Sequence, residues 1–228
     1  RLLDEKVDLV IGSYNENLKQ FKNKNTHILG NPQVSKAKDV KEDKNVLKEL
    51  GLDINKKTVL IFIGSLGSAS VNKILVDYFK LLDGSYQVIY ATGEYNFEAV
   101  NNEFKDVDYL KIYKRVDGIK LMKNVDLLVS RAGATTLAEI GAIGVASILI
   151  PSPYVPNNHQ FFNGKALVDL GASKMIEEKD LSSKLLYDEI SKILDDDELR
   201  LSMKKNAISS INPNVVEDII GLLEKLWL

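Results

Sequence analysis

The stretch 125–160, VDLLVSRAGATTLAEIGAIGVASILIPSPYVPNNHQ, constrains the fold of this chain more than any other part. It carries two short apolar runs, Leu127-Leu128-Val129 and Ile148-Leu149-Ile150, on either side of a glycine-opened segment. Runs of that length without polar alternation read as strands buried on both faces, as in a parallel sheet. Between them Gly133 opens a helix whose first turn is small: Ala134, Thr135 and Thr136. Small side chains leave the first N–H groups of a helix uncovered, and such an end attracts phosphate. Glu139 follows one to two turns in, where a carboxylate can accept hydrogen bonds from a sugar diol. A ligand with a diphosphate and a ribose would use both features. The same residues also suit a helix that binds nothing and a solvated carboxylate, because folds of this kind are widely reused. Two adjacent strand–helix units form the usual ligand crevice at the carboxyl ends of their strands.

The rest of the chain repeats the alternation. Strands are expected at 7–11, 26–29, 58–63, 87–91, 110–113 and 173–176, and helices at 15–21, 46–50, 72–82, 97–104, 161–170, 182–194, 197–209 and 215–226. Gly51 ends the helix at 46–50, and Ile74, Leu75, Tyr78, Phe79 and Leu82 form one stripe of the helix at 72–82. Strands alternating with helices imply a parallel sheet with right-handed crossovers, an α/β Rossmann-like fold. Gly30-Asn31-Pro32 looks like a boundary, since Pro32 cannot continue a strand ladder and extends Asn31. The Lys- and Asp-rich segment 35–45 reads as a solvated connector.

Composition excludes several classes. A net charge of −2 gives no nucleic-acid footprint. Cysteine is absent and only His27 and His159 are present, so disulfides, thiolate sites and a histidine-rich metal site are ruled out. No metal or other cofactor is called for by any visible set of residues. No apolar run approaches the ~18 residues of a transmembrane helix. The chain opens Arg-Leu-Leu without Met, as it would if something had been removed in front of it.

SRAGATTLAEI followed by NNHQFFN resembles the donor-binding signature of the bacterial MurG glycosyltransferases. The resemblance runs along almost the whole chain but covers only the back part of that family's sequence. It implies the carboxyl-terminal half of a GT-B architecture, in which two Rossmann-like domains face each other across a cleft. Residues 1–29 would then be a remnant of the amino-terminal acceptor domain, 30–210 the donor-binding domain, and 211–228 a final helix crossing back to the other domain. Val215, Ile219, Ile220, Leu223 and Trp227 would supply the crossing stripe, or else pack on this domain's own sheet.

Several site residues follow from the resemblance. Gly64-Ser65-Leu66-Gly67-Ser68 resembles the family's GGSxGA loop with Ile63 in place of the first Gly, so Ser65 and Gly67 would approach the diphosphate. The same segment is not a P-loop, because no Lys-Ser/Thr pair follows. YKRVDG corresponds to the segment whose main chain reads the uracil edge, with Arg115 at the matching position. Gly133, Ala134, Thr135, Thr136 and Glu139 would hold diphosphate and ribose. Asn157-Asn158-His159-Gln160 resembles the loop that holds N-acetylglucosamine, with Gln160 on the sugar hydroxyls and His159 covering the sugar or diphosphate. Two departures stand out. The family usually has Val-Arg after Gly-Asn-Pro, with the Arg near the phosphate. Here Gln33-Val34 stands instead, with Lys36 or Lys38 as conceivable substitutes. The family's amino-terminal glycine motif and catalytic His have no match, so no catalytic residue is assigned in this chain.

The implied function is the UDP-N-acetylglucosamine-binding portion of an inverting transferase that converts lipid I to lipid II in peptidoglycan synthesis. The undecaprenyl-linked acceptor would meet the missing amino-terminal domain. The implied location is cytoplasmic, peripheral on the inner face of the plasma membrane, and the chain alone is expected to be inactive. One alternative is a non-catalytic donor-binding subunit of a split two-chain transferase. Another is UDP-sugar epimerisation, for which the required carboxylates and His around the sugar are not found.

Overall fold

The computed structural model describes residues 6–13, 21–63 and 68–226. The chain begins with β1 (Val10–Gly12) and β2 (Thr26–Ile28), which pair in parallel as a separate two-stranded sheet. Two short helices follow, α1 (Val34–Lys38) and α2 (Asn45–Glu49). The main body then alternates as β3 (Thr58–Phe62), α3 (Ala69–Phe79), β4 (Gln87–Ala91), α4 (Phe97–Phe104), β5 (Leu110–Tyr113) and α5 (Gly118–Met122). It continues with β6 (Leu127–Ser130), α6 (Ala134–Ile143), β7 (Ala146–Leu149), a 3-10 turn (Pro156–Asn158), α7 (His159–Asp169) and β8 (Ser173–Met175). Three helices close the described chain: α8 (Ser183–Asp195), α9 (Asp197–Ser209) and α10 (Val215–Leu226).

The six strands of the main sheet run in the order β5-β4-β3-β6-β7-β8, all parallel. Their register explains why they read as unbroken apolar runs. Val59 lies level with Val88 and Leu127, and Leu60 with Ile89 and Leu128. The first trio faces one helical layer and the second the other, and all six are fully buried. One layer contributes Val71, Leu75 and Phe79 of α3 and Leu186, Ile190 and Ile193 of α8. The opposite layer contributes Leu121 and Met122 of α5 with Leu137, Ile140 and Ile143 of α6. With both faces covered by helices, strands need no polar side.

Three sequence expectations change. Segment 35–45 is not merely a solvated connector. Val34 and Ala37 are buried, each 1% exposed, because α1 packs on α6, with Val34 against Ala138 and Val215. The helix expected from residue 72 begins at Ala69, and the one expected from 161 begins at His159, so NNHQ runs into a helix rather than forming an open loop. Val215 packs on this domain, while Ile220, Leu223 and Leu226 further along α10 are exposed. The helix expected at 15–21 falls largely outside the described residues, as does Trp227.

Helix α6 is held close to its neighbours by two glycines. Gly144 ends it in the left-handed region at φ 72°, with its N–H on the Ile140 carbonyl at 2.9 Å. Gly141 faces the α9–α10 connection, and a Cβ there would collide with the Ile211 side chain and sit 3.0 Å from Ser210 Oγ. Replacing Gly141 by Ala is therefore expected to destabilise the fold by about 1–3 kcal/mol, the usual overpacking cost. Urea unfolding of the Gly141→Ala chain checks this, and an unchanged midpoint would contradict the close packing.

Candidate functional site

The strand order reverses direction between β3 and β6: the chain moves outward through β4 and β5, then returns to place β6 beside β3. The helices that follow β3 and β6, α3 and α6, lie in opposite layers, and such a switch point opens a crevice at the carboxyl ends of the strands. A cleft of about 530 Å³ lies on the β3–β4–β5 side of that point, bounded by α6. Phe62, Ala91, Val116, Ile119 and Met122 give it an apolar lining, and Arg115, Asp117, Thr136 and Glu139 bring polar groups to it. A flat apolar slot with a few convergent polar groups is the usual form of a small-molecule site.

The loop after β5 is shaped locally. Thr92 N–H donates to the Tyr113 carbonyl at 2.9 Å and Gly93 N–H to the Lys114 carbonyl at 3.2 Å, which extends the strand pairing to the cleft rim. Asp117 then caps α5, its Oδ1 accepting from the Lys120 N–H at 3.1 Å. Lys114 turns toward α4, with Glu98 at 3.4 Å, Glu94 at 3.7 Å and the Phe97 ring 5.1 Å from its ammonium. Arg115 lies beside it on the cleft wall.

Gly133 adopts an extended conformation and α6 starts at Ala134 with no side-chain cap. At this end the Leu137 N–H donates to the Gly133 carbonyl at 3.0 Å. Among the described residues, the N–H groups of Ala134, Thr135 and Thr136 are thus left for a ligand or water. Glu139 is half-buried on the same helix. Burial pushes its carboxyl above the usual carboxylate range, and a hydrogen bond from Gln33 opposes the shift. That bond, Gln33 Nε2 to Glu139 Oε1, measures 3.3 Å. An ionised carboxylate has about four acceptor positions, so among the described residues most of its capacity remains open.

The other expected residues lie elsewhere along the same edge of the sheet. His159 and Gln160 occupy the first turn of α7, which follows β7, and neither lines the cleft. His159 is exposed, its Nδ1 2.9 Å from the Pro156 carbonyl. Gln160 Oε1 accepts from the Ser152 N–H at 2.9 Å, so its carbonyl braces the loop and its NH₂ remains to donate. Asn157 and Asn158 sit at φ 55° and 50°, a left-handed conformation that asparagine tolerates better than most residues. Their presence in the motif thus has a backbone reason. Ser65 and Gly67 fall outside the described residues. Lys38 reaches the Pro213 carbonyl at 3.2 Å.

Two arrangements were not anticipated from the sequence. One is the Gln33–Glu139 bond across 106 positions, which no local pattern announces. The other is a polar link binding the end of β6 to α3. Arg131 Nη1 donates to the Ile150 carbonyl at 3.0 Å, and its Nη2 lies 2.7 Å from Glu178 Oε2. That second approach is out of line for a directed hydrogen bond, so the attraction is mainly between charges. Glu178 Oε1 accepts from Ser70 Oγ at 2.6 Å, and Ser70 Oγ lies 3.0 Å from Ser68 Oγ. A charged residue directly after a buried strand was the available signal for Arg131. The Arg131 and Glu178 side chains are 12% and 8% exposed, so removing one strands the other charge. Glu178→Ala is expected to cost about 3 kcal/mol. Chemical denaturation measures it, and a loss below about 1 kcal/mol, the value of an exposed pair, would contradict the assignment.

Residues 58–219 match the family model described as Glycosyltransferase family 28 C-terminal domain. A Finegoldia magna protein, the UDP-N-acetylglucosamine--N-acetylmuramyl-(pentapeptide) pyrophosphoryl-undecaprenol N-acetylglucosamine transferase, is 36% identical over 99% of this chain and 63% of its own length. The chain thus spans less than two thirds of that relative. The crystal structure of Acinetobacter baumannii MurG superposes with a TM-score of 0.76 at 23% identity, over 98% of this chain and 62% of that one. A putative UDP-N-acetylglucosamine 2-epimerase from Listeria monocytogenes superposes with a TM-score of 0.71 at 15% identity, over 99% of this chain and 61% of that one. At those identities the two structures speak for the fold alone, the Rossmann-like sheet shared by GT-B proteins. The family match, which takes in most of the chain, is of another kind: this chain belongs to glycosyltransferase family 28 and carries its C-terminal domain.

Proposed function

We propose that this chain is the donor-binding part of a transferase that moves N-acetylglucosamine from its uridine diphosphate to a lipid-linked muramyl-pentapeptide. The product would be lipid II of peptidoglycan synthesis. The observation that carries the reading is the cleft beside the β3–β6 switch point, with an apolar slot, a half-buried carboxylate and an uncapped helix end together. Family membership supports it, as does the activity named for the Finegoldia magna relative.

In this reading the uracil lies between Phe62 and the 115–119 loop, with the main chain at Arg115 matching its polar edge. Glu139 accepts from the ribose hydroxyls. The N–H groups of Ala134, Thr135 and Thr136 receive the diphosphate, joined by Ser65 and Gly67 as the family resemblance implies. Their role is electrostatic: as an acceptor hydroxyl attacks the anomeric carbon and the C–O bond to UDP breaks, negative charge grows on the leaving diphosphate. Fixed donors stabilise that charge without reorganising. Gln160 and His159 stand on the sugar side. Residues 1–29 belong to an amino-terminal domain that receives the acceptor and supplies the base, so the chain by itself binds donor without turnover. Among the described residues no helix is long and apolar enough to cross a membrane. In the proposed reading, contact with the lipid, on the inner face of the plasma membrane, belongs to the other domain.

Calorimetric titration of the chain tests the reading. UDP and UDP-N-acetylglucosamine should bind and ADP should not. Glu139→Ala should weaken UDP by about 1.5–3 kcal/mol, the range for hydrogen bonds to a charged group. Equal affinity for UDP and ADP, or sugar transfer to the lipid acceptor by this chain alone, would refute it.

A further inference from the structure

The segment between β2 and α1 supplies a group to the cleft. Gln33 precedes α1, and its backbone is held on both sides: its N–H donates to Asn31 Oδ1 at 3.0 Å, and its carbonyl accepts from the N–H groups of Lys36 and Ala37 at 3.2 and 3.3 Å. The helix it opens is fixed on α6 by Val34 and Ala37, both buried. The Gln33 side chain therefore starts from a fixed point, and its amide meets Glu139 Oε1. A half-buried carboxylate with no protein donor would rotate toward water, since its terminal torsion is soft. An amide on one oxygen sets the plane of the group and leaves the other oxygen to accept.

We propose that Gln33 is a positioning residue: its Nε2–H holds the Glu139 carboxylate in the orientation that receives the two hydroxyls of a ribose. This rests on the reading of Glu139 as the ribose acceptor. The contact also couples the ligand to the stretch that joins the β1–β2 unit to the main sheet, so a shift of that stretch changes how the ribose is held.

The test uses the whole chain and two nucleotides, UDP and 2′,3′-dideoxyuridine 5′-diphosphate, which differ only in the diol. Titrations are run on the unaltered chain, on Gln33→Met, which keeps the length and loses the N–H donor, and on Glu139→Ala. A second variant, Gln33→Ala, guards against an effect peculiar to the thioether, and thermal unfolding of each confirms the fold. Gln33→Met and Gln33→Ala should each weaken UDP about three- to tenfold while leaving the dideoxy compound within about twofold. In the double variant with Glu139→Ala, the loss of Gln33 should have no additional effect. A purely structural role would weaken both nucleotides alike. Equal weakening of both, or no change in either, while Glu139→Ala still abolishes the preference for the diol, overturns the inference and leaves the reading of Glu139 standing. Equal affinity of the unaltered chain for the two nucleotides overturns both.

Discussion

The parallel pairing of β3 with β6 is the contact on which the rest depends. Val59, Leu60 and Ile61 lie level with Leu127, Leu128 and Val129, and all six are buried. Because the chain leaves β3 for β4 and β5 and comes back to β6, the helices that follow β3 and β6 lie in opposite layers. A slip of one residue in this pairing would turn every side chain to the wrong layer, so burial on both faces fixes the register strongly. The crevice is thus a consequence of packing, and the polar residues occupy an opening that the core has already made.

Helix α6 joins this frame to the chemistry. Its inner face is locked through Leu137, Ile140 and Ile143, and Gly141 and Gly144 let α9 and the α9–α10 connection come close. The amino-terminal turn and Glu139 are what that packing leaves at the cleft. A carboxylate there has lost part of its hydration, which raises its pKa, and among the described residues the Gln33 amide replaces part of it. Under the proposed ribose contact, ligand hydroxyls would restore what burial removed. On the other side of β6, Arg131 and Glu178 fix the strand end to the loop after β8 and the start of α3. The loops after β6 and β8 are therefore tied to each other by polar contacts.

The strand–helix alternation was legible because strands buried on both faces give continuous apolar runs. Expected strands at 58–63 and 87–91 and observed strands Thr58–Phe62 and Gln87–Ala91 agree to within a residue. Helix α1 was hidden because Val34, Ala37 and Val40 are the apolar residues in a run otherwise rich in Lys and Asp, and the burial of the first two comes from packing on a helix about a hundred positions away. Helix α5 was missed for its length of five residues, although Asp117 before Gly118 is a fair capping signal. Glu139 and Thr136 could be placed together at a cleft because both ride on one helix opened by Gly133. Gln33 could not, since its meeting with Glu139 depends on how α1 docks. Asn157 and Asn158 suggested sugar contacts through their resemblance to the family's loop, yet their left-handed backbones are a sufficient physical reason for asparagine at both positions.

The central claim is that a uridine nucleotide occupies the cleft between the 113–118 loop and the start of α6. Amide chemical shifts of the isotopically labelled chain, followed during titration with UDP, test it most directly. The account predicts concerted shifts at Ala134, Thr135, Thr136, Glu139 and the 114–118 loop, with little change along β8 and α8, and no such pattern with ADP. Shifts confined to β8 and α8, or the same pattern from either nucleotide, would contradict it.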